Sequence, residues 1–511
     1  MSNAVLTSDY VGIEFGSTRI KAVSINDGFK TALSSDHTWE SSYVNGIWTY
    51  PLDEVWDGLR DALDAFRGAA PKAVGISGMM HGYLAFDSDW NLLTPFRTWQ
   101  NTITAQAADE LTALFGFNIP QRWSIAHLWQ AILNGEDHVK DVAHITTLAG
   151  YVHFMLTGVN AVGIGEASGI FPIDSTTLDY NAEMLDKFDA LLSGRGLNKK
   201  IRALIPAVLP AGRNAGSLTE DGAKLIGGVF PVGTPFVPCE GDAGTGMVAT
   251  NAVAPRTGNV SAGTSIFAMI VLERALKKVY QEIDMVTTPA GAPVAMVHCN
   301  NCTRDMNAWA ELFRETAALF GADVSTGELF TKLYFKSLEG DADCGGITVF
   351  NYLAGEGITH IDEGRPMVIR NADSRFSLAN FMRAQLYSSM ATMKLGMDIL
   401  ADENVVIDSL TGHGGLFKTP GVGQRYMAAA VGAPITCTET AGEGGPYGMA
   451  LLAAYSQYAD EPLESFLREK VFADARSVTL APDAADAEGF NAFLEKYRRG
   501  LNVERSAVEN L

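Results

Sequence analysis

The sequence predicts an α/β protein made of two related domains. Three observations predict it: a length of 511 residues, apolar strands alternating with amphipathic helices, and a strand–glycine–hydroxyl–strand pattern that occurs near the start and again past the middle. A domain of about 250 residues already buries roughly three quarters of its unfolded surface, so a chain this long accommodates two large cores. Apolar residues make up 47% and charged residues 19%, the balance of a globular enzyme and not of a disordered chain.

Tyr10 to Ile13 reads as a short strand, Gly16-Ser17-Thr18 as a tight turn, and Ile20 to Ile25 as a second strand. From Asp53 to Phe66, the residues Val55, Trp56, Leu59, Leu63 and Phe66 recur at helical spacing, which predicts an amphipathic helix. Ala73 to Ser77 is a buried strand stopped by Gly78, and strands and helices alternate beyond it. The segment Val11-Gly12-Ile13-Glu14-Phe15-Gly16-Ser17-Thr18 is echoed by Gly258-Asn259-Val260-Ser261-Ala262-Gly263-Thr264-Ser265, with apolar strand residues after both. Duplication of one domain accounts for the echo. The boundary is placed near Asn251 to Arg256, where Pro255 interrupts the pattern, giving domains 5–252 and 253–511.

The formal net charge of -21 repels polyanions, which argues against nucleic acid and anionic membrane as partners. No run of about 18 apolar residues and no basic flank before an apolar core occurs, so a cytoplasmic protein is expected. The cysteines Cys239, Cys299, Cys302, Cys344 and Cys437 are scattered and odd in number, which speaks against a disulfide framework. Cys299-Asn300-Asn301-Cys302 follows His298, but no second pair exists to complete a four-ligand metal site.

A glycine followed by hydroxyl residues in a hairpin turn suits phosphate. Glycine lets the backbone approach, consecutive N–H groups form a donor nest, and the hydroxyls add donors. Gly16-Ser17-Thr18 and Gly263-Thr264-Ser265 are two such turns, able to hold phosphates from two sides, and Lys21 lies on the strand after the first. In so acidic a chain, such a site needs magnesium, backbone donors and a few cations. Glu14 is one candidate metal ligand, because a charge inside the apolar strand Val11 to Phe15 is costly to bury without a task. Asp242 is the other. It follows the apolar run Phe236-Val237-Pro238 and precedes the helical segment Ala243 to Ala249, between Gly241 and Gly244. An ordinary helix N-cap is the competing role for it. Met80-His81-Gly82 stands at a strand end, where open α/β sheets bind ligands. Gly412-His413-Gly414-Gly415 leaves a nearly side-chain-free backbone suited to a flat purine, and Gly444-Gly445 extends it. The P-loop pattern, the nucleophile elbow and the zincin helix motif are absent, while Gly244 to Ala249 fits the loose dinucleotide pattern without a convincing acidic partner.

The order Gly16-Ser17-Thr18, Met80-His81-Gly82, Gly241-Asp242-Ala243, Gly263-Thr264-Ser265, Tyr352-Leu353-Ala354-Gly355-Glu356 and Gly412-His413-Gly414-Gly415 resembles the FGGY carbohydrate kinases, from about Tyr10 to Tyr458. The Met80-His81-Gly82 segment is most similar to that of xylulokinases. The resemblance implies two actin-like, ribonuclease H-like domains, with sugar and ATP meeting in an interdomain cleft. It implies Asp242 as general base, sugar contacts from Met80 and His81, phosphate contacts from Gly263, Thr264 and Ser265, and adenosine contacts from Gly412, Gly414 and Gly415. Glu14 stands where the family has a magnesium-associated aspartate. The family's W-x-D-x-R substrate loop reads Trp99-Gln100-Asn101-Thr102-Ile103, without either charge, and a glutamate usual after Arg383-Ala384 is replaced by Tyr387. The expected reaction is phosphorylation of a ketose, D-xylulose first and L-ribulose or L-xylulose next. A non-catalytic sugar-responsive regulator and a dehydrogenase using the Gly244 region are the alternatives, and a homodimer is compatible with the chain.

Overall fold

Consecutive apolar residues, rather than alternating ones, bury Tyr10–Phe15 on both faces, and the first sheet is built around this strand. In the computed structural model, which describes residues 9–438 and 444–511, it is β1. The turn Gly16-Ser17-Thr18 leads into β2 (Arg19–Ile25), antiparallel to β1, and β2 pairs antiparallel with β3 (Thr31–Thr38). Helix α1 (Leu52–Leu63), with a 3-10 turn Asp64–Phe66, buries Val55, Trp56, Leu59, Leu63 and Phe66, the stripe its spacing predicts. Strand β4 (Ala73–Gly78) lies parallel to β1 on its other side, and the short β5 (Glu240–Gly241) lies parallel to β4. The order is β5-β4-β1-β2-β3. Helix α2 (Asp242–Ala249) starts directly from β5.

The chain divides into two compact units. The first holds Met1–Ala254, Glu273–Val294 and Glu443–Asp474; the second holds Pro255–Leu272, Ala295–Gly442 and Ala475–Leu511. The units therefore interleave along the chain, beyond the first crossing between Ala254 and Pro255.

In the second unit, β6 (Thr257–Ala262) and β7 (Ile266–Val271) form an antiparallel hairpin, followed by β8 (Pro293–Cys299) and the long helix α3 (Leu378–Asp402). Strand β9 (Ser409–His413) lies parallel to β6, and β10 (Ile435–Thr438) parallel to β9. Helix α4 (Gly445–Tyr455) belongs to the first unit. The second unit is completed by β11 (Ser477–Leu480), antiparallel to β10, and by α5 (Ala484–Asn510). Its order β8-β7-β6-β9-β10 repeats β3-β2-β1-β4-β5 strand for strand, so the sequence echo reflects a duplicated fold.

Helix α4 is buried along its whole length and has no polar face, as a helix enclosed by its own unit requires. Two glycines in register, Gly12 in β1 and Gly75 in β4, give it a flat seat. A Cβ on Gly12 would lie 2.0 Å from the Pro446 carbonyl oxygen, and one on Gly75 would lie 2.2 Å from Met449 Cε. At Gly448 a Cβ would lie 2.0 Å from the Thr245 carbonyl oxygen, so α4 also packs backbone to backbone on α2. Among the described residues, no helix is long and apolar enough to cross a membrane.

Candidate active site

The first turn is closed by Gly16 N–H, which donates to the Arg19 carbonyl at 2.9 Å. Register places Glu14 opposite Lys21 across the hairpin and beside Ser77 of β4. Lys21 is thus a neighbour of the carboxylate as well as of the turn. Helix α4 caps this spot: a Cβ on Gly445 would overlap Glu14 Oε2 and lie 2.9 Å from Thr245 Oγ1. Gly445 is a glycine because Glu14 occupies the space of its side chain.

Asp242 is the first residue of α2, and the N-cap is Gly241, so the aspartate does not play the ordinary capping role. Its Oδ1 accepts from Met80 N–H at 3.2 Å and from Ala243 N–H at 2.9 Å. Glu14 and Asp242 both keep a partial opening to solvent, yet each is surrounded closely enough to lose much of its hydration. That loss raises the Glu14 carboxyl to about 8, aided by the Asp242 charge and opposed by Lys21. It also raises Asp242, against the N–H groups of Met80 and Ala243. Two coupled carboxylates with depleted hydration fit a hard divalent cation that completes its shell with phosphate oxygens and water. Among the described residues, no group of three or more His, Cys, Asp or Glu side chains forms a metal cage.

Met80-His81-Gly82 follows β4 as a strand-end turn and meets Asp242 through the Met80 amide. His81 is buried with φ +73°, and Gly82 follows with φ +94°. A histidine in this left-handed region is held there by its surroundings. Its ring stacks on Trp123 at 6.0 Å, and Nδ1 lies 3.4 Å from the Gly169 carbonyl oxygen. In the loop that follows, the Asn101 amide is committed internally: Oδ1 accepts from Trp48 N–H at 2.9 Å, and Nδ2 donates to the carbonyls of Trp48 at 2.8 Å and Thr98 at 3.0 Å. Asn101 holds the loop. Trp99 and Gln100 are half-buried, and Gln100 Oε1 has no partner among the described residues.

Residues with no motif signal also enter this region. Glu240 begins β5 beneath the chain at Gly163 and Gly165, where a Cβ on either glycine would overlap its carboxylate. Its Oε2 accepts from Glu166 N–H at 2.9 Å, and burial raises its carboxyl to about 8. Burial raises the adjacent Glu166 well above the usual carboxylate range, with the charges of Glu240 and Asp242 adding to it. Only the run of small residues around Glu166 could have flagged it.

In the second unit, Gly263-Thr264-Ser265 forms the β6–β7 turn, closed by Gly263 N–H to the Ser265 carbonyl at 2.9 Å. Gly412 and Gly414 have packing reasons to be glycine. A Cβ on Gly412 would lie 2.5 Å from the Phe417 ring, and one on Gly414, at φ +98°, would lie 2.5 Å from the Ala262 carbonyl oxygen. Gly415 is open, with only that oxygen at 3.9 Å. Asn300 and Asn301, between the two cysteines, bind the loop at Glu356: its carboxylate accepts from both backbone N–H groups at 3.2 Å and from Asn301 Nδ2 at 3.1 Å. Tyr387, where a glutamate was expected, accepts from Arg383 Nη2 at 2.8 Å, and Asp486 of α5 supplies the carboxylate that Arg383 and Arg425 share.

The dinucleotide pattern Gly244 to Ala249 lies inside α2 instead of at a strand-to-helix turn. It forms no phosphate loop.

Residues 10–249 match the N-terminal domain model, and residues 258–457 the C-terminal domain model, of the FGGY family of carbohydrate kinases. A xylulose kinase of Escherichia coli is 23% identical over 96% of this chain and 98% of that protein. The solved structure of a ligand-bound xylulose kinase from Lactobacillus acidophilus, 16% identical, superposes with a TM-score of 0.81 over 97% of this chain and 98% of its own. That of a gluconate kinase from the same organism, 17% identical, gives 0.79 over 96% and 97%. The fold is the two-domain actin-like fold of sugar kinases. The chain belongs to the FGGY family of carbohydrate kinases and is a phosphotransferase acting on a sugar.

Proposed function

We propose that the chain transfers the γ-phosphoryl group of ATP to a terminal hydroxyl of a ketopentose, with D-xylulose first and L-ribulose or L-xylulose next. The observation that carries this is Asp242. Its carboxylate stands at the end of β5, tethered to the Met80-His81-Gly82 turn and raised above its ordinary range by lost hydration. A carboxylate of that kind is matched to taking a proton from an alcohol as it attacks phosphorus.

The first unit binds the sugar and carries the base. Met80 and His81 contact the sugar, Trp99 and Gln100 line the loop beside them, and Asn101 keeps that loop in place. Gly16, Ser17, Thr18 and Lys21 bind phosphate. In the second unit, Gly263, Thr264 and Ser265 bind phosphate, while Gly412, Gly414 and Gly415 lie along adenosine. Glu14 and Asp242 would hold magnesium, which supplies positive charge against the phosphate oxygens.

The loop Trp99-Gln100-Asn101 lacks the family's two charges, and a gluconate kinase shares the fold as closely as a xylulose kinase does. A substrate panel therefore decides the sugar. MgATP with ketopentoses, gluconate and polyols, read as coupled ADP release, is expected to give turnover with D-xylulose above the rest. Preference for another sugar reassigns the substrate. ATP binding without turnover on any of them would make the chain a regulator.

A further inference from the structure

We infer that Trp39 and Tyr50 are positioning residues that aim the amide donors of the Gly16-Ser17-Thr18 turn at a bound phosphate by holding its carbonyls the other way. The inference rests on the ATP-binding reading of that turn. A peptide unit is planar, with its C=O and the next residue's N–H on opposite sides. Fixing a carbonyl therefore fixes the direction of the following donor. Trp39 Nε1–H donates to the Gly16 carbonyl at 2.7 Å, which aims Ser17 N–H away from the indole. Tyr50 O–H donates to the Ser17 carbonyl at 2.7 Å, which does the same for Thr18 N–H. The backbone N–H of Trp39 takes the Thr18 carbonyl at 3.1 Å, so all three carbonyls of the turn are held.

The second unit repeats the arrangement with different chemistry. The Gly263 carbonyl accepts from Thr303 N–H at 3.1 Å and from Thr303 Oγ1 at 2.7 Å, and the Thr264 carbonyl accepts from Cys302 N–H at 3.0 Å. Those bonds aim the amides of Thr264 and Ser265. None of the four aimed amides, at Ser17, Thr18, Thr264 and Ser265, donates to the rest of the described chain.

A peptide that flipped would present its carbonyl oxygen to the anion and turn attraction into repulsion, so the tethers favour the binding form before the ligand arrives. Trp39 and Tyr50 are buried, 4% and 1% exposed, and their rings stack at 4.3 Å. They meet the turn from its protein side, so they act through it without touching the ligand.

Titration calorimetry of the full chain with MgATP and with AMP tests this. Tyr50→Phe keeps the ring and removes the hydroxyl, and Thr303→Val removes the matching hydroxyl in the second unit. Each is expected to weaken MgATP binding roughly three- to tenfold, the scale of one hydrogen bond, and to leave AMP within about twofold. Trp39→Phe should behave alike; if it fails to fold, Tyr50→Phe stands alone. Unchanged MgATP affinity in folded Tyr50→Phe, or an equal loss for AMP, overturns the inference, because a merely structural role does not separate the two nucleotides. A wild-type chain that binds neither nucleotide overturns the inference together with the ATP reading. A chain that binds MgATP but phosphorylates no ketose leaves the inference standing and removes only the ketose.

Discussion

The two hairpins share a topology and a turn, yet they differ at the residues that carry charge. Register sets Glu14 against Ser261, and Lys21, opposite Glu14, against Phe267, opposite Ser261. The parallel strand beside each hairpin ends differently as well. Ser77, next to Glu14, leads into Met80 and His81, whereas His413, next to Ser261, leads into Gly414 and Gly415. One copy places acid, base and side chains at its strand ends, and the other leaves backbone and hydroxyls. Duplication supplied two glycine–hydroxyl turns, and on the proposed reading divergence of a few strand-end residues separates a unit suited to chemistry from one suited to holding a nucleotide.

The largest effect that sharpens this contrast concerns Glu14. Its carboxyl is raised from 4.5 to about 8 by lost hydration, with the Asp242 charge behind it. The folded protein therefore keeps a proton that the unfolded chain releases, so stability falls as pH rises from about 4.5 toward 8. Glu14→Gln should remove that slope and make the metal-free protein more stable at pH 8, by at most roughly a few kcal/mol. Magnesium should raise the thermal midpoint of the wild type more than that of the variant. Parallel stability curves for the two proteins, from denaturant titrations across pH, would argue against the coupled carboxylates.

Next comes Gly445→Ala, whose methyl would overlap Glu14 Oε2. A cost of about 1–3 kcal/mol is expected from such overpacking. A glycine of the second unit, changed as Gly415→Ala, faces open space and should stay within about 0.5 kcal/mol. Equal losses in chemical denaturation would erase the distinction between the two glycines. A smaller effect tests charge alone. Ser261→Glu gives the second hairpin the carboxylate of the first without a lysine opposite, and MgATP affinity should drop roughly tenfold, about 1.4 kcal/mol. Unchanged affinity would show that phosphate does not approach that turn.

The first strands, the helix that follows them and both turns were legible because strand burial, helical spacing and glycine–hydroxyl turns are local signals. Asp242 was legible from its place between an apolar run and a helix. The role of Gly445 was not, because what makes it a glycine is Glu14, more than four hundred positions away in the chain. Trp39 and Tyr50 were invisible for the same reason: their donors act on carbonyls, which leave no mark on sequence. Asn101 was placed with the sugar by its motif position, and its bonds to Trp48 and Thr98 show an amide engaged in holding a loop. Asp486 makes good the carboxylate missing at Tyr387 from a helix near the end of the chain, which no local pattern announces.

The most direct test is the turnover of Asp242→Asn beside its sugar affinity. The substitution keeps the shape and the hydrogen-bond acceptor while removing the base. A kcat lower by roughly a hundredfold or more, with sugar binding nearly unchanged, is the predicted result. Wild-type turnover in that variant would contradict the account.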